Sequence, residues 1–527
     1  MTVDHSMFRE AASRFLLPSV RDFIFIFLFW SLLSGSLSNL PLADPDIGWH
    51  IRTGEQVLFT HMLPRVDPYS STMQGQPWFA WEWLYDLLLG IVHHSCGLNG
   101  VVWLCAVIVA STFTILLTQL IKEGTSLLLA IILMLLVECA ATIHLYARPH
   151  IASWLFVLLW FIALDRWENG SAPHWLPWFF PLSMILWVNL HGEWMLGLCL
   201  LIVYLVAARV ESWRSHDPFA AVRTAHRARL MACYLGASAL ATFVNPFGWN
   251  LHKHIYAYLA DRYLMSRISE FRSPNFHQWP PRCFGMILVL TLVAFAGRRR
   301  PLRLSHLMVA LLAVYMGLIS ARNLPVSTML LALAIGPSLW DGLAALSARP
   351  AAWRWVQTRI AAIVEFSERM GALELRLRGH LWPVVCVLAS LVICLEGGWL
   401  GSRHLIHAHF ESKSIPIAAT NFLEKEQSSE PVFSTDSWGG YLIYRLYPRR
   451  QVVVDDRHDL YGSPRVRQIL VVMQGEPGWN DVLNQLQVRT ALLPSDSTLA
   501  NLLRQVPQEW SVTYEDQLAV VFERRVR

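Results

Sequence analysis

Charged residues are scarce in this sequence: Asp, Glu, Lys and Arg together make up only 15% of the 527 residues. Soluble proteins carry about 25% charged and about 45–50% apolar residues, whereas 54% of the residues here are hydrophobic. The deficit excludes a soluble multidomain enzyme, a disordered chain and a coiled coil. The apolar excess predicts a membrane protein with many spans.

Paired cysteines and a strong basic bias are also missing. None of the 8 cysteines belongs to a CxxC pair, and nearly all lie in apolar runs, as is typical of small buried hydrophobic residues. The net charge of +5 is small for this length, and basic residues of membrane proteins already have a topological use. The sequence therefore gives no reason to expect a nucleic-acid partner.

Apolar runs that approach the length of a membrane span, about 20 residues, recur through the first 400 residues. The first run has no small-residue cleavage site, so we expect an uncleaved anchor. The run 174–209 would form a helix about 54 Å long, so we expect a hairpin at its polar residues 189–193. The predicted spans, about eleven in all, are 22–42, 99–120, 126–143, 150–165, 174–190, 192–209, 229–245, 283–297, 303–320, 324–340 and 381–400.

Three basic stretches fix the expected orientation. They lie at 211–229, 298–303 and 349–379, and we expect the third to form an amphipathic interfacial helix. If the eleven spans are right, all three lie on one side of the membrane, and basic loops favour the cytoplasm. The pattern predicts a cytoplasmic N-terminus and an extracytoplasmic C-terminal domain.

The same topology gathers polar segments on the outer side of the membrane. Ionisable groups near a membrane boundary are costly, so they usually pair or line a wet cavity. We therefore expect one cleft there, the alternative being ordinary loop polarity with aromatic anchors. The segments are 43–98, 146–150, 189–193, 245–282 and 322–323.

Asp44 and Asp46 follow the first span directly. A carboxylate at this position could act as a general base or bind a divalent ion, although two aspartates two residues apart are a weak signal alone. Asp46 could instead cap the helix that follows it. Residues 78–95 are predicted to form a helix that lies in the outer interface.

The chain divides into a transmembrane domain at 1–400, a linker at 401–430 and a small α/β domain at 431–527. Within the last domain, two polar stretches each follow a predicted strand, where ligands of α/β sheets bind; the alternative is a glycine turn and a charged loop. The stretches are 436–441 and 455–459. The predicted strands are 432–434, 452–454, 490–493 and 518–522, and the predicted helices are 464–474, 478–487 and 497–505.

Motifs along almost the whole chain resemble the GT-C glycosyltransferases and, most closely, a group of bacterial GT-C-like membrane proteins. The motifs are Asp44-Pro45-Asp46 with Trp49-His50, Arg65-Val66-Asp67-Pro68-Tyr69-Ser70, Glu82-Trp83-Leu84, Arg148-Pro149-His150, Asn189-Leu190-His191-Gly192, Asn245-Pro246-Phe247-Gly248-Trp249, Arg322-Asn323, and Trp438-Gly439-Gly440-Tyr441 with Asp455-Asp456-Arg457. Each is weak alone, but together they are fairly specific. The resemblance implies a polytopic α-helical protein of the bacterial inner membrane.

The resemblance also implies a reaction: transfer of a hexosyl or pentosyl group from a polyprenyl-phosphate-linked donor to a glycan, lipid or protein acceptor outside the cytoplasm. Asp46, favoured over Asp44 because it immediately precedes a helix, would be the general base. The pair would also be the candidate ligands of a divalent cation, Mg²⁺ or Mn²⁺. Donor phosphate would be held by Arg148, His150, His191 and Arg322. Acceptor or accessory roles would fall to His50, Glu82, Glu193, Trp438, Tyr441 and Asp456.

Two other functions stay open at this stage. Because fold does not imply function, the chain could be a non-catalytic scaffold or a lipid-binding subunit that keeps the GT-C fold. A transporter is a third hypothesis, but it predicts acids at mid-membrane depth, and the sequence offers little beyond Glu138. The segment at 436–441 is similar to the WWDYG motif of oligosaccharyltransferase catalytic subunits. It has Gly439 where the acid would stand, so acceptor selection by that route is in doubt.

Overall fold

The computed structural model describes residues 16–297, 301, 303–347, 354–377 and 380–525. This part of the chain contains a large helical bundle followed by a small α/β domain. The helices of the bundle are α1 (Val20–Leu33), α2 (Ile47–Thr60), α3 (Trp83–Lys122), α4 (Leu127–Ala141), α5 (His150–Glu168), α6 (Leu176–Leu190), α7 (Met195–Arg214), α8 (Pro218–Ala241), α9 (Trp249–Ala260), α10 (Arg262–Arg267), α11 (Trp279–Ala296), α12 (Leu304–Ile319), α13 (Leu324–Ser347), α14 (Arg354–Arg376) and α15 (Leu381–Leu395).

Six helices of the described ranges are long and apolar enough to cross a membrane, and the bent pair α14–α15 could add a seventh. Two further apolar helices, α6 and α12, are shorter. The count of about eleven spans therefore stays a prediction. The first predicted span is shorter than expected, because α1 ends at Leu33 and the chain continues in turns.

The helix break predicted at 189–193 is present, and the hairpin itself stays a prediction. Helix α6 ends at Leu190, His191 is extended, and a short 3-10 turn leads into α7. The helix predicted at 78–95 begins at Trp83 and runs on into a span, with a kink at Gly97, where φ is +59°. The non-helical backbone at Gly97 thus separates the predicted helix from the predicted span that follows it. The basic residues 298–300 lie outside the described part of the chain.

The C-terminal domain contains a four-stranded sheet with the order β3-β4-β6-β5. The pair β3–β4 is parallel, and β6 pairs antiparallel with both β4 and β5. The sequence analysis missed β5, and residue Val452 forms only isolated bridges. The strands are β1 (Trp399–Leu400) and β2 (Arg403–His404), which form a hairpin across the expected boundary between the transmembrane domain and the linker, then β3 (Val432–Phe433), β4 (Thr490–Pro494), β5 (Trp510–Glu515) and β6 (Ala519–Arg524).

The glycine turn considered for residues 436–441 is wrong, because this segment is helical. It begins α17, and helix formation places both glycines on a contact surface. The helices of the C-terminal region are α16 (Ile417–Lys425), α17 (Asp436–Leu446), α18 (His458–Gln474), α19 (Trp479–Gln485) and α20 (Thr498–Arg504).

Glycines let the C-terminal domain sit directly on the first loop of the bundle. A Cβ atom added at Gly440 would lie 2.6 Å from Cα of Asp46, and one added at Gly48 would lie 2.3 Å from the carbonyl oxygen of Gly440. No larger residue fits without a backbone shift. Ion pairs secure the contact: Arg457 Nη1 lies 2.8 Å from Asp67 Oδ1.

Candidate active site

A cavity of about 460 Å³ lies where the bundle meets the C-terminal domain. We call this end of the bundle the site end and the opposite end the distal end. Side chains from α2, α7, α9, the segment before α3, the 3-10 turns and the start of α18 line the cavity. Its wall includes the sequence-predicted residues Asp46, Glu82, Arg148, His191, Glu193, Arg322 and Asp456.

Asp46 stands at the start of α2 but does not cap it. Its backbone is in the helical region and its side chain makes no capping hydrogen bond, so the helix-cap alternative is wrong. The residue is only 3% exposed. Its Oδ2 lies 3.5 Å from Arg148 Nη1, and its Oδ1 is buried without a partner among the described residues. This oxygen receives no N–H or hydroxyl donor from the described residues.

Asp44 has a different role from Asp46. Its Oδ1 accepts a hydrogen bond from the backbone N–H of Asp46 at 2.9 Å, and its Oδ2 accepts one from Arg148 Nη1 at 2.8 Å. Asp44 does not line the cavity. Both of its oxygens are engaged, so it positions the loop and the guanidinium group.

Asp456 brings a second carboxyl group from the C-terminal domain to Asp46. Burial, followed by the charges of Asp456 and Asp44, raises the pKa of Asp46 well above its ordinary value. Burial also opposes ionisation of Asp456, but the charge of His458 and a hydrogen bond from Asp46 outweigh it and lower the pKa of Asp456. These opposite shifts favour the protonated form of Asp46 and a hydrogen bond from it to the carboxylate of Asp456.

Glu270, which the sequence analysis did not select, links the two arginines of the cavity. It belongs to the 3-10 turn Ser269–Phe271. Its Oε1 lies 3.4 Å from Arg148 Nη1 and its Oε2 lies 3.2 Å from Arg322 Nη1. Burial opposes its ionisation, but these two charges prevail and lower its pKa to about 2. Only its location in the polar loop 245–282 hinted at this role.

His191 orients Arg322. Arg322 Nη2 donates to His191 Nε2 at 3.0 Å, so the ring proton belongs on Nδ1, which lies 2.8 Å from Ser153 Oγ. The imidazole is then neutral. Glu82 Oε1 lies 3.4 Å from the same Nε2. His191 therefore acts through the arginine it holds.

Glu82 and His50 form a buried polar layer behind the cavity. Burial raises the pKa of Glu82 to about 7, against the opposing charges of the two arginines. His50 Nδ1 lies 2.6 Å from Asp86 Oδ1, and its ring stacks on Trp49. The structure places His50 behind the wall and Glu82 on it.

Besides Asp44 and His50, three residues selected from the sequence do not line this cavity. His150 Nε2 lies 2.6 Å from the backbone oxygen of His144, to which it donates. Trp438 is 6% exposed and donates from Nε1 to the backbone oxygen of Ser414 at 2.9 Å. Tyr441 is 1% exposed and its hydroxyl accepts from Arg445. The contacts of all three are those of packing residues. For Trp438 and Tyr441 the reason is that the segment 436–441 is helical and turns its aromatic rings into the core.

His458 is a second residue that the sequence analysis did not select. Its Nδ1 lies 2.9 Å from Asp456 Oδ1 and its Nε2 lies 3.1 Å from Asp436 Oδ2. Burial lowers its pKa, but the charge of Asp456 and hydrogen bonds to both acids raise it well above the ordinary value. The ligand atoms of these three residues lie within 4.8 Å of one another, close enough to hold a metal ion.

Carboxyl groups outnumber arginines along the cavity wall. The acids are Asp46, Glu82, Asp86, Glu193, Asp456 and Asp459, and the arginines are Arg148, Arg322 and Arg457. Arg148 already faces three carboxylates, and Arg457 is bound by Asp455 and Asp67. An anionic ligand would thus meet acids unless a cation accompanied it. The wall also includes apolar and aromatic side chains, among them Ile255, Leu259, Met265, Phe271 and Ile319.

No protein-family model and no curated protein matches the sequence. Among solved structures, the chain is similar to the archaeal oligosaccharyltransferase AglB from Archaeoglobus fulgidus, solved in complex with an inhibitory peptide and a dolichol-phosphate. The TM-score is 0.56 at 10% sequence identity, and the match covers 96% of this chain and 74% of that chain. An identity this low shows the fold alone, and it confirms the fold expected from the motifs. The chain is a multi-pass membrane protein with a GT-C-like fold.

Proposed function

We propose that the protein is an integral-membrane glycosyltransferase that moves a sugar from a polyprenyl-phosphate donor to a glycan, lipid or protein acceptor. The observation that carries this proposal is the buried Oδ1 of Asp46, which has no hydrogen-bond donor among the described residues, in a cavity lined by both charged and apolar side chains. The GT-C-like fold supports it. So does the similar structure, which was solved with a lipid phosphate and a peptide.

Asp46 is the proposed general base for the acceptor hydroxyl. It faces the cavity, whereas both oxygens of Asp44 are engaged. A base must be ionised before it can accept a proton. The proton that Asp46 donates to Asp456 therefore has to leave first, and Arg148, at 3.5 Å, stabilises the carboxylate that results.

The carboxyl pair fits a divalent cation. Carboxylate oxygens are the ligands that Mg²⁺ and Mn²⁺ prefer, and the orphaned oxygen of Asp46 beside Asp456 offers such a pair. Asp46 and Asp456 would hold the ion, which would supply positive charge next to the phosphate group of the donor. Arg322, held by Glu270 and His191, would stabilise the charge that develops on that phosphate.

The apolar side chains of the cavity would take the polyprenyl chain. We also propose the orientation predicted from the basic loops, with about eleven spans and the N-terminus in the cytoplasm. The membrane would be a bacterial inner membrane, and the cavity would lie on its extracytoplasmic side. The acceptor would approach from the C-terminal domain, which supplies Asp456 and His458 to the cavity.

The proposal is tested with the purified protein in proteoliposomes and a panel of radiolabelled short-chain polyprenyl-phosphate sugars. We expect the wild type to release polyprenyl phosphate from one of them, with dependence on Mg²⁺ or Mn²⁺, and Asp46→Asn to abolish release. Membrane extract is added as an acceptor source. If the protein then binds the donor saturably but releases no polyprenyl phosphate, the result would favour the scaffold or lipid-binding subunit. Absence of donor binding would contradict both.

A further inference from the structure

A second large cavity lies at the distal end of the bundle, far from Asp46. It has a volume of about 620 Å³ and opens between α1, α3, α5 and α15. We call it the distal groove. Its walls combine apolar side chains with charged and hydroxyl groups, and the proposed glycosyl transfer uses none of them. The residues that matter for the argument are Ser111, Thr114, Lys122, Arg166, His380 and Leu388.

The mouth of the distal groove carries two cations, Lys122 at the end of α3 and Arg166 near the end of α5. Among the residues that the structure describes, neither forms an ion pair. Of the neighbouring acids, Glu123 accepts from Gln119 at 2.7 Å and only partly offsets the charge of Arg166 from a distance, and Asp165 binds Arg303 at 2.6 Å. The mouth therefore has two cations without an ion-pair partner among the described residues.

One carboxylate, that of Asp22, also belongs to the groove wall. Its side chain is 1% exposed, and it accepts hydrogen bonds from the backbone N–H of Ser19 at 2.7 Å and from His380 at 2.9 Å. These contacts occupy both of its oxygens, so it forms no ion pair with either of the two cations. His380 adds a further exposed ring at the same mouth.

The groove has the dimensions of one lipid leaflet. From Val107 to Lys122 the α3 wall is about 22 Å long at 1.5 Å per residue, and one leaflet with its headgroup region is about 20–22 Å thick. The opposite wall, on α15, includes the exposed apolar residues Val384 and Leu388. Thr114 Oγ1 is buried without a partner among the described residues.

We propose that the distal groove binds one anionic phospholipid, with its phosphate on Lys122 and Arg166 and an acyl chain between α3 and α15. Basic pockets between transmembrane helices bind such headgroups, because each nearby cation attracts the anionic lipid. The length of the apolar walls selects a lipid over a free anion. The site is independent of the proposed glycosyl transfer, since it shares no residue with the cavity around Asp46.

The test is native mass spectrometry of the full-length protein in detergent, titrated with phosphatidylglycerol and with phosphatidylcholine of the same acyl chains. We expect one phosphatidylglycerol to bind at least tenfold more tightly than phosphatidylcholine. The double variant Lys122→Gln/Arg166→Gln should lose about tenfold of that affinity. The matched control, Arg214→Gln/Arg223→Gln, removes two exposed distal-end cations outside the groove and should leave binding unchanged.

A third variant separates a lipid from a free anion. Leu388→Trp fills the groove while both cations stay, and the position is 58% exposed, so folding should persist. We expect it to weaken phosphatidylglycerol binding, and we expect inorganic phosphate not to compete. Equal binding of the two lipids, an equal loss in the control variant, or competition by inorganic phosphate would each overturn the proposal.

Discussion

Two clusters of charged side chains lie at opposite ends of the same helical bundle and contain the same residue types. The site-end cluster consists of Asp44, Asp46, Arg148, His191, Glu270 and Arg322. The distal cluster consists of Asp165, Glu168, Arg303 and His306. Groups at both ends of the molecule have the spacing of metal ligands, so spacing alone does not tell the two ends apart.

The distal cluster is saturated with internal partners. Asp165 Oδ1 accepts from Arg303 at 2.6 Å and from His306 at 2.7 Å, while its Oδ2 accepts from Asn169 at 3.0 Å. Glu168 Oε2 accepts from Ser305 at 2.8 Å. Within the described residues, no buried atom of these six side chains lacks a partner. The cluster joins α5 to α12 and has little capacity left for a ligand.

The site-end cluster leaves buried atoms without partners in the described part of the chain, notably Asp46 Oδ1, Arg148 Nε and Glu193 Oε2. Native proteins rarely leave such groups unpaired, since each unmade hydrogen bond is unfavourable. The difference between the ends teaches that unsatisfied buried atoms, and not the presence of acids and histidines, distinguish a reactive site from a structural ion pair.

The largest expected effect is on activity, from Asp46→Asn. Loss of a general base should reduce transfer by about 10²–10⁴-fold. Because burial and neighbouring acids keep Asp46 protonated without ligand, a neutral amide should leave the melting temperature unchanged or higher. Transfer from the radiolabelled donor and thermal unfolding are measured on the same preparation. A large drop in stability would mean that Asp46 belongs to a structural ion pair, contrary to the proposed role as a general base.

Asp165→Asn should show the reverse behaviour. It leaves Arg303 and His306 without their shared carboxylate, and breaking a buried ion pair is destabilising by about 3–5 kcal/mol. We expect a lower melting temperature with normal transfer per folded molecule. Lost activity with unchanged stability would show that the distal cluster is itself a functional site.

The sequence predicted much of the site-end cluster because its residues follow a rule. Acids, histidines and arginines recur at the same ends of apolar helices, and helix packing gathers Asp46, Arg148, His191 and Arg322 around one cavity. Glu270 and His458 escaped because their roles depend on which arginine or acid lies opposite them. That depends on loop geometry and domain docking, which no local pattern encodes.

The errors have a common physical origin as well. Trp438 and Tyr441 lie in a motif that suggested a ligand-facing turn, but two glycines were tolerated inside a helix because they allow close packing. The fold class followed from composition, whereas span number could not, because short apolar helices such as α6 and α12 fall below the length of a span.

Glu82→Gln tests whether the ionisation of Glu82 makes the stability of the folded protein depend on pH. The pKa of Glu82 is raised to about 7 from 4.5, so the folded protein keeps a proton that the unfolded chain has released. The stability that this acid contributes is present below pH 4.5 and is lost as the pH rises towards 7. Relative to the wild type, the variant should therefore gain about 2–3 kcal/mol between pH 5 and pH 8.

Melting temperatures of the variant and the wild type, measured in parallel across this range, give the difference directly. Glu476→Gln replaces an exposed acid and is the matched control. A gain for Glu82→Gln that does not vary with pH would mean that the side chain is ionised throughout, and the site end would then resemble the distal cluster.

The last prediction separates the ends by their dependence on the C-terminal domain. Gly440→Ala adds a Cβ atom 2.6 Å from Cα of Asp46, which forces the two backbones apart and should destabilise the protein by about 1–3 kcal/mol. Hydrogen exchange should increase in α2 and α17 and stay unchanged in α5. Gly236→Ala, in α8, meets no described atom within 4 Å and should be neutral or slightly stabilising. If Gly440→Ala leaves exchange in α2 unchanged, the docking of the two domains does not hold Asp456 against Asp46, and the protonated form of Asp46 has another origin.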